Sequence, residues 1–261
     1  MILVDSHCHI DFEALSSELS GVLDRAAEVG VQYLLCVAVN LEDLPGILRI
    51  ASENKNIFAS AGVHPNHSFE EQPEADEEAL AAEADRGSVV AIGETGLDYF
   101  RSSGELGWQR ERFRRHIRVA RQLTRPLIVH CRQAGEDAMV ILDEEGAAEV
   151  GGVMHCFTEE WEIAKRALDL GFYISFSGIV TFSNADSVRN VALKIPADRL
   201  LIETDAPYLA PVPNRGKTNE PSFLRHTASF LADLRGEPLE RLAHQTTENF
   251  FTLFPRAVPN L

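Results

Sequence analysis

The amino-acid sequence predicts an α/β fold, a single (β/α)8 TIM-type barrel followed by a C-terminal helix. Three observations carry this expectation. Eight short β-rich apolar runs alternate with eight longer amphipathic stretches along the 261-residue chain. No linker, repeat or low-complexity break interrupts them, so residues 1–261 are expected to form one domain. The glycine-rich phosphate loop that follows the first strand of a doubly wound open sheet is absent. Alternating strands and helices imply a parallel sheet, and eight units in about 250 residues is the count of a closed barrel.

The units run in order. Residues 2–5 (ILVD) lead into a helix over 13–29, and 33–39 (YLLCVAV) into one over 41–54. Residues 58–63 (FASAGV) lead into 74–86, and 89–93 (VVAIG) into 105–123. Residues 127–129 (LIV) precede 133–145, and 152–155 (GVMH) precede 159–170, where Ile163, Ala167 and Leu170 keep helical spacing. Residues 173–177 (YISFS) precede 184–194, and 200–203 (LLIE) precede 222–235. A final helix over 238–251 closes the chain.

Bulk composition narrows the function. With 45% hydrophobic and 25% charged residues the chain can bury a sizeable core. Its apolar runs are far short of the roughly 20 residues needed to span a bilayer. The opening MILVDSHCHID has neither a basic n-region nor a long apolar run, so no signal peptide is expected. Four cysteines without a CxxC pair fit a reduced compartment, and the expected location is the cytoplasm. A formal charge of −16 argues against broad nucleic-acid binding, although a metal site would add local positive charge.

Active-site residues of a barrel sit where strands end and loops begin. The first strand runs into Asp5-Ser6-His7-Cys8-His9. Side chains two apart in extended chain share a face, so His7 and His9 can share a metal while Cys8 points away. His64 ends the third strand, Glu94 the fourth, His130 the fifth, His155 the sixth, and Glu203 with Asp205 the eighth. Imidazole and carboxylate together suit zinc, manganese, iron or magnesium, and such sites commonly hold a hydrolytic water.

The segments VDSHCHID, GVHP, IGETGLDY, VHCR, MHCF and IETDAPYL, followed by NRGKTNEP, resemble the TatD-type metal-dependent deoxyribonucleases, in their YcfH-like bacterial branch. The resemblance spans about residues 1 to 255 in order. It implies an amidohydrolase-like barrel binding up to two divalent ions (Zn, Mn, Mg, Fe or Ni). It also implies 3′–5′ exonuclease-like trimming of DNA ends, held transiently, with no membrane and no obligate protein partner. Carried over, His7, His9, Glu94 and Asp205 would hold one metal. Glu94, His130 and His155 would hold the other, with Glu94 bridging. His64 and Glu203 match further active-site positions, and no ligand position departs from the pattern. Two cations about 4 Å apart clamp the attacking and leaving oxygens of a phosphodiester, and Asp205 is then the natural general base. Arg132 can place a guanidinium on a phosphate, and Tyr99, Phe100, Phe157 and Tyr208 lie on loops where a terminal base could stack.

Other readings stand beside these. Hydrolysis of an amide, lactone or aminoacyl ester would use the same cage, and a non-catalytic metal-binding scaffold would keep it. Cys8, Cys131 and Cys156 are expected to face the layer between barrel and helices as small buried residues. His67, His116, His226 and His244 are expected to be structural or at the surface. The six arginines of residues 109–122 are expected on a solvated outer helix face, because Phe113, Ile117 and Ala120 form the apolar stripe. Arg215 and Lys217, in the loop after the eighth strand, are candidates for phosphate contact against the alternative of an ordinary turn.

Overall fold

Eight parallel strands form one sheet in chain order, in a computed structural model describing residues 1–67 and 74–258. They are β1 (Leu3–Cys8), β2 (Val31–Cys36), β3 (Ile57–Ala61), β4 (Val89–Asp98), β5 (Leu127–Arg132), β6 (Gly152–Met154), β7 (Tyr173–Phe176) and β8 (Leu200–Ile202). The helices after β1 are α1 (Glu13–Ser16) and α2 (Leu19–Glu28), where one continuous helix was expected. Glu18 leaves helical geometry between them, so Leu15 and the Val22–Ala26 stripe are buried as separate pieces. Next come α3 (Leu44–Glu53), α4 (Glu77–Ala84), α5 (Gly107–Leu123), α6 (Gly135–Glu144), α7 (Trp161–Asp169) and α8 (Asp186–Ala192). Two more, α9 (Leu224–Arg235) and α10 (Leu239–Leu253), follow β8. The (β/α)8 barrel is therefore present, nearly closed, with a C-terminal helix.

Side chains alternate between two apolar layers. Outside the sheet, Leu3, Leu34, Ile57, Leu127 and Ile174 pack against the helices. Inside, Val4, Leu35, Phe58, Val90, Ile128, Val153 and Leu201 fill the barrel. Phe250 and Phe254, at the end of α10, join this inner layer. Each fully buried aromatic contributes about 1.5–3 kcal/mol of hydrophobic stabilisation, so α10 is part of the barrel core.

The seam between β8 and β1 matters for the site. Ser6 Oγ donates to Ile202 O at 2.9 Å, Asp205 N–H to His7 O at 2.9 Å, and His9 N–H to Ala206 O at 2.8 Å. The buried Asp5 carboxylate accepts Thr204 N–H at 2.9 Å and Thr204 Oγ–H at 2.6 Å. His7 and Asp205 are thus fixed to each other through backbone.

Strand β4 runs to Asp98, five residues past the expected end at Gly93. Glycine there permits close approach instead of breaking the strand. Gly96 has φ +135°, and a Cβ on it would lie 2.0 Å from His130 O.

Helix α5 corrects one expectation. Arg112 is fully buried, donating to His64 O at 2.5 Å, His67 O at 3.0 Å and Glu74 at 2.8 Å, so it anchors the loop after β3. It precedes His116 by one helical turn and shares the buried face. Arg110, Arg114, Arg118 and Arg121 do lie on the outside, paired with Asp137, Glu144, Glu145 and Glu149. Those acids neutralise the face, which accordingly offers no basic patch to nucleic acid.

His116 is structural, as expected. Its Nδ1–H donates to Arg112 O at 2.8 Å and its Nε2 accepts Val63 N–H at 3.0 Å. Burial, with Arg112 and Arg115 nearby, pushes its pKa down to about 3. The unfolded chain binds this proton below about pH 6.5 whereas the folded chain does not, so stability is fully present above pH 6.5 and falls as pH drops. Between pH 7 and 5 this group should remove about 2 kcal/mol. Urea denaturation at the two pH values should show that loss in the native chain and a smaller one in His116→Gln.

Candidate metal centre and active-site cleft

His7, His9, His64, Glu94, His130, His155 and Asp205 converge on one cleft at the C-terminal ends of the strands. All but His7 line a cavity of about 870 Å³, within the roughly 300–1,000 Å³ of small-ligand sites. His7 is fully buried just behind, its ring stacked on His155 at 3.8 Å between centroids.

Glu94 organises the cluster by turning its two oxygens to two sets of groups. Oε2 lies 3.4 Å from His7 Nε2 and 3.9 Å from His9 Nε2. Those nitrogens are 3.2 Å apart, and Asp205 Oδ1 stands 3.8 Å and 3.5 Å from them. Ligands at ~2.1 Å in a tetrahedron are about 3.4 Å from one another, so these spacings are those of atoms around a single ion. Oε1 lies 2.9 Å from both His130 Nδ1 and His155 Nε2, and 3.4 Å from His64 Nε2.

Three of the imidazoles have a partner on the nitrogen that faces away from the cluster. His9 Nδ1–H reaches Val37 O at 2.9 Å, His130 Nε2–H reaches Asp98 Oδ2 at 3.1 Å, and His155 Nδ1–H reaches Glu203 Oε1 at 3.1 Å. An outer partner of this kind is the usual support of a metal-ligating histidine, since it leaves the inner nitrogen of the neutral ring free for a cation. His155 Nε2 is buried and makes no hydrogen bond, although Glu94 Oε1 is 2.9 Å away. Two such groups so close need a proton or a cation between them. His64 is the opposite case. Its Nδ1 accepts Asn66 N–H at 3.0 Å, so Nε2 keeps its proton and faces the cluster as a donor.

Electrostatics agree. Burial alone would raise the Glu94 carboxyl, but His155, His64 and His130 hold it well below the usual range. Burial opposes protonation of His155, yet Glu94 and Glu203 raise it well above normal. Burial lowers His7 and His64. Asp205 is kept low against its burial by His9, His155 and His7. The pocket is an array of buried acids and imidazoles, each needing the others or a cation.

Other expected site residues fall in different places. Arg132 and Arg215 line the cleft, with Arg132 Nη1 on Thr158 Oγ1 at 2.8 Å. Glu203 is buried behind His155, so it cannot touch a substrate; its Oε2 and His7 Nδ1 both lack hydrogen bonds. Tyr99 turns away to the α5–α6 side, donating its hydroxyl to Asp137 at 2.7 Å, and is unavailable for stacking. Phe157 is buried in the outer core, whereas Tyr208 is exposed on the cleft. His67, expected to be structural or at the surface, lines the cleft.

Cys8 and Cys131 join the outer layer as expected, although Cys131 also borders the cleft, and Cys156 opens onto the cleft. Strand β6 ends at Met154 and Cys156 takes φ +44°, so strand alternation no longer governs it. Burial pushes all three thiols up, which opposes a thiolate ligand.

Several contributors were missed. Asp98 orients His130 and also accepts Asn66 Nδ2–H at 2.7 Å. Its position four residues past Glu94 on one strand was a usable signal, since alternation gives both the same face. Phe12 stacks on His9 at 4.9 Å, and Arg101 joins the rim; neither had a signal in spacing.

A barrel with a carboxylate-bridged imidazole cluster at its strand ends defines a metal-dependent hydrolase. The family model described as TatD related DNase matches residues 4–255, and the chain belongs to that family. It is 48% identical over 257 residues to the metal-dependent hydrolase YcfH of Escherichia coli K12, covering 97% of this chain and 96% of YcfH. It is 34% identical to a protein of Salmonella typhimurium named 3′-5′ ssDNA/RNA exonuclease TatD, covering 97% and 98% of the two chains. The crystal structure of YjjV, a TatD homologue of E. coli, superposes with a TM-score of 0.91 at 30% identity, covering 98% of each chain.

Proposed function

We propose that the protein is a phosphodiesterase that removes nucleotides from DNA ends in the 3′–5′ direction. The observation that carries this is Glu94, whose oxygens face two separate ligand sets on the floor of a cleft rimmed by cations. His7, His9, Glu94 and Asp205 would hold one divalent ion, and Glu94, His130 and His155 a second. Zinc, manganese, magnesium, iron and nickel all accept such donors. When bound, the ions supply Lewis-acid stabilisation of charge on the phosphoryl oxygens and a more acidic water.

The chain's own groups do the rest. Asp205 is ionised and opens onto the cleft, so it can accept the proton of the attacking water. His64 Nε2–H can donate to a phosphate oxygen. Arg132 and Arg215 hold phosphate with planar donor forks. Glu203 and Asp98 are positioning residues that fix the inner nitrogens of His155 and His130. The formal charge of −16 favours brief capture of an end over tight binding. The four free cysteines fit a reducing compartment such as the cytoplasm.

Purified protein with manganese is expected to shorten 5′-labelled single-stranded DNA progressively and to release mononucleotides, and chelator should stop it. Intact DNA, with turnover of a lactone or amide in the same panel, would transfer the site to the ester or amide reading.

A further inference from the structure

The cleft continues past the Glu94 cluster. Arg215 forms part of its wall and part of the wall of a second cavity of about 260 Å³. That cavity is lined also by Thr181, Phe182, Ser183, Asn184 and Val212, from the loops after β7 and β8. The Arg215 guanidinium lies over the Phe182 ring, 3.6 Å from its centroid, and donates to Ala210 O at 3.1 Å. Stacked and tethered, it is held in place as the partition between the two cavities.

The lining has the chemistry of a nucleobase site. Phe182 and Val212 supply apolar walls for a planar ring. The Ser183 hydroxyl and Asn184 amide, both exposed, can donate and accept along a base edge. A cavity of about 260 Å³ falls below the roughly 300–1,000 Å³ of whole-ligand sites, which suits one base better than a complete nucleotide. Lys217, on the same loop as Arg215, lines the cleft on the near side and adds a second cation there.

We propose that this side cavity is a second-nucleotide subsite. It takes the base next to the nucleotide being removed, while the phosphate between them lies on Arg215 and Lys217. The inference rests on the phosphodiester reading and deepens it, making the preferred substrate a single strand of at least two nucleotides. A base paired in a duplex cannot enter such a cavity.

The test compares two single-stranded oligonucleotides, one intact and one with an abasic residue next to the 3′-terminal nucleotide. Base stacking predicts that the native protein with manganese cleaves the intact end about 5- to 100-fold more efficiently in kcat/KM. Val212→Trp fills the cavity from an exposed position, and the ratio should fall toward one. Asn184→Ala, a surface truncation, should lower the ratio without filling anything, and it guards against a folding defect in the first variant. Equal cleavage of both strands by the native protein, or a native ratio kept in both variants, overturns the subsite alone. Cleavage of neither strand by metal-loaded native protein overturns the subsite together with the phosphodiester reading.

Discussion

Glu94→Ala is expected to abolish turnover and strip the protein of bound metal. The carboxylate is shared, its Oε2 serving the His7–His9–Asp205 set and its Oε1 the His130–His155 set. Losing it removes one ligand from each set at once, whereas losing any single histidine disturbs one. Divalent ions contribute several kcal/mol of transition-state stabilisation, and each 1.4 kcal/mol is tenfold in rate, so a fall on the order of 10⁴-fold or more follows. Glu94→Gln keeps the shape and loses the charge, and should fall in the same direction with a milder effect on folding. A second consequence is thermodynamic. Glu94 sits at 2.9 Å from two imidazoles and 3% exposed, and leaving buried partners unpaired costs about 3–5 kcal/mol. Metal-free Glu94→Ala should therefore unfold at lower urea than metal-free native protein. Activity within tenfold of native would contradict the shared-ligand arrangement.

Asp205→Asn should separate binding from chemistry. The amide retains an oxygen near His7 and His9, so most bound metal should remain. It cannot take a proton, and loss of a positioned general base lowers kcat by about 10²–10⁴-fold with little change in KM. The backbone around it is expected to hold, because the loop is tied by Asp205 N–H to His7 O at 2.9 Å and by Thr204 to Asp5. Native kcat in Asp205→Asn would assign the base role to another group.

The barrel was legible in the sequence because strand and helix alternate at a regular beat and each inward run is apolar. The convergence of His7, His9, Glu94, His130, His155 and Asp205 was legible for a related reason: side chains at strand ends inherit the order of the strands. Elements whose meaning depends on contacts across the fold were not. Arg112 reads as one more arginine on a charged helix, and only the packing of α5 against the loop after β3 buries it. The role of Glu203 turned on which side of His155 it occupies, and spacing holds no such information. That His64 faces the cluster as a donor depends on Asn66 N–H, which occupies its Nδ1 through a loop contact that strand spacing does not record. Gly93 looked like a strand end, because a sequence does not record that β4 and β5 approach too closely for a Cβ at Gly96.

Anomalous diffraction from crystals of the manganese-loaded protein tests the shared glutamate most directly. Two peaks are predicted, one against His7, His9, Asp205 and Glu94 Oε2, the other against His130, His155 and Glu94 Oε1. A saturated crystal with density at neither position, or with both ions on one side of Glu94, would contradict the account.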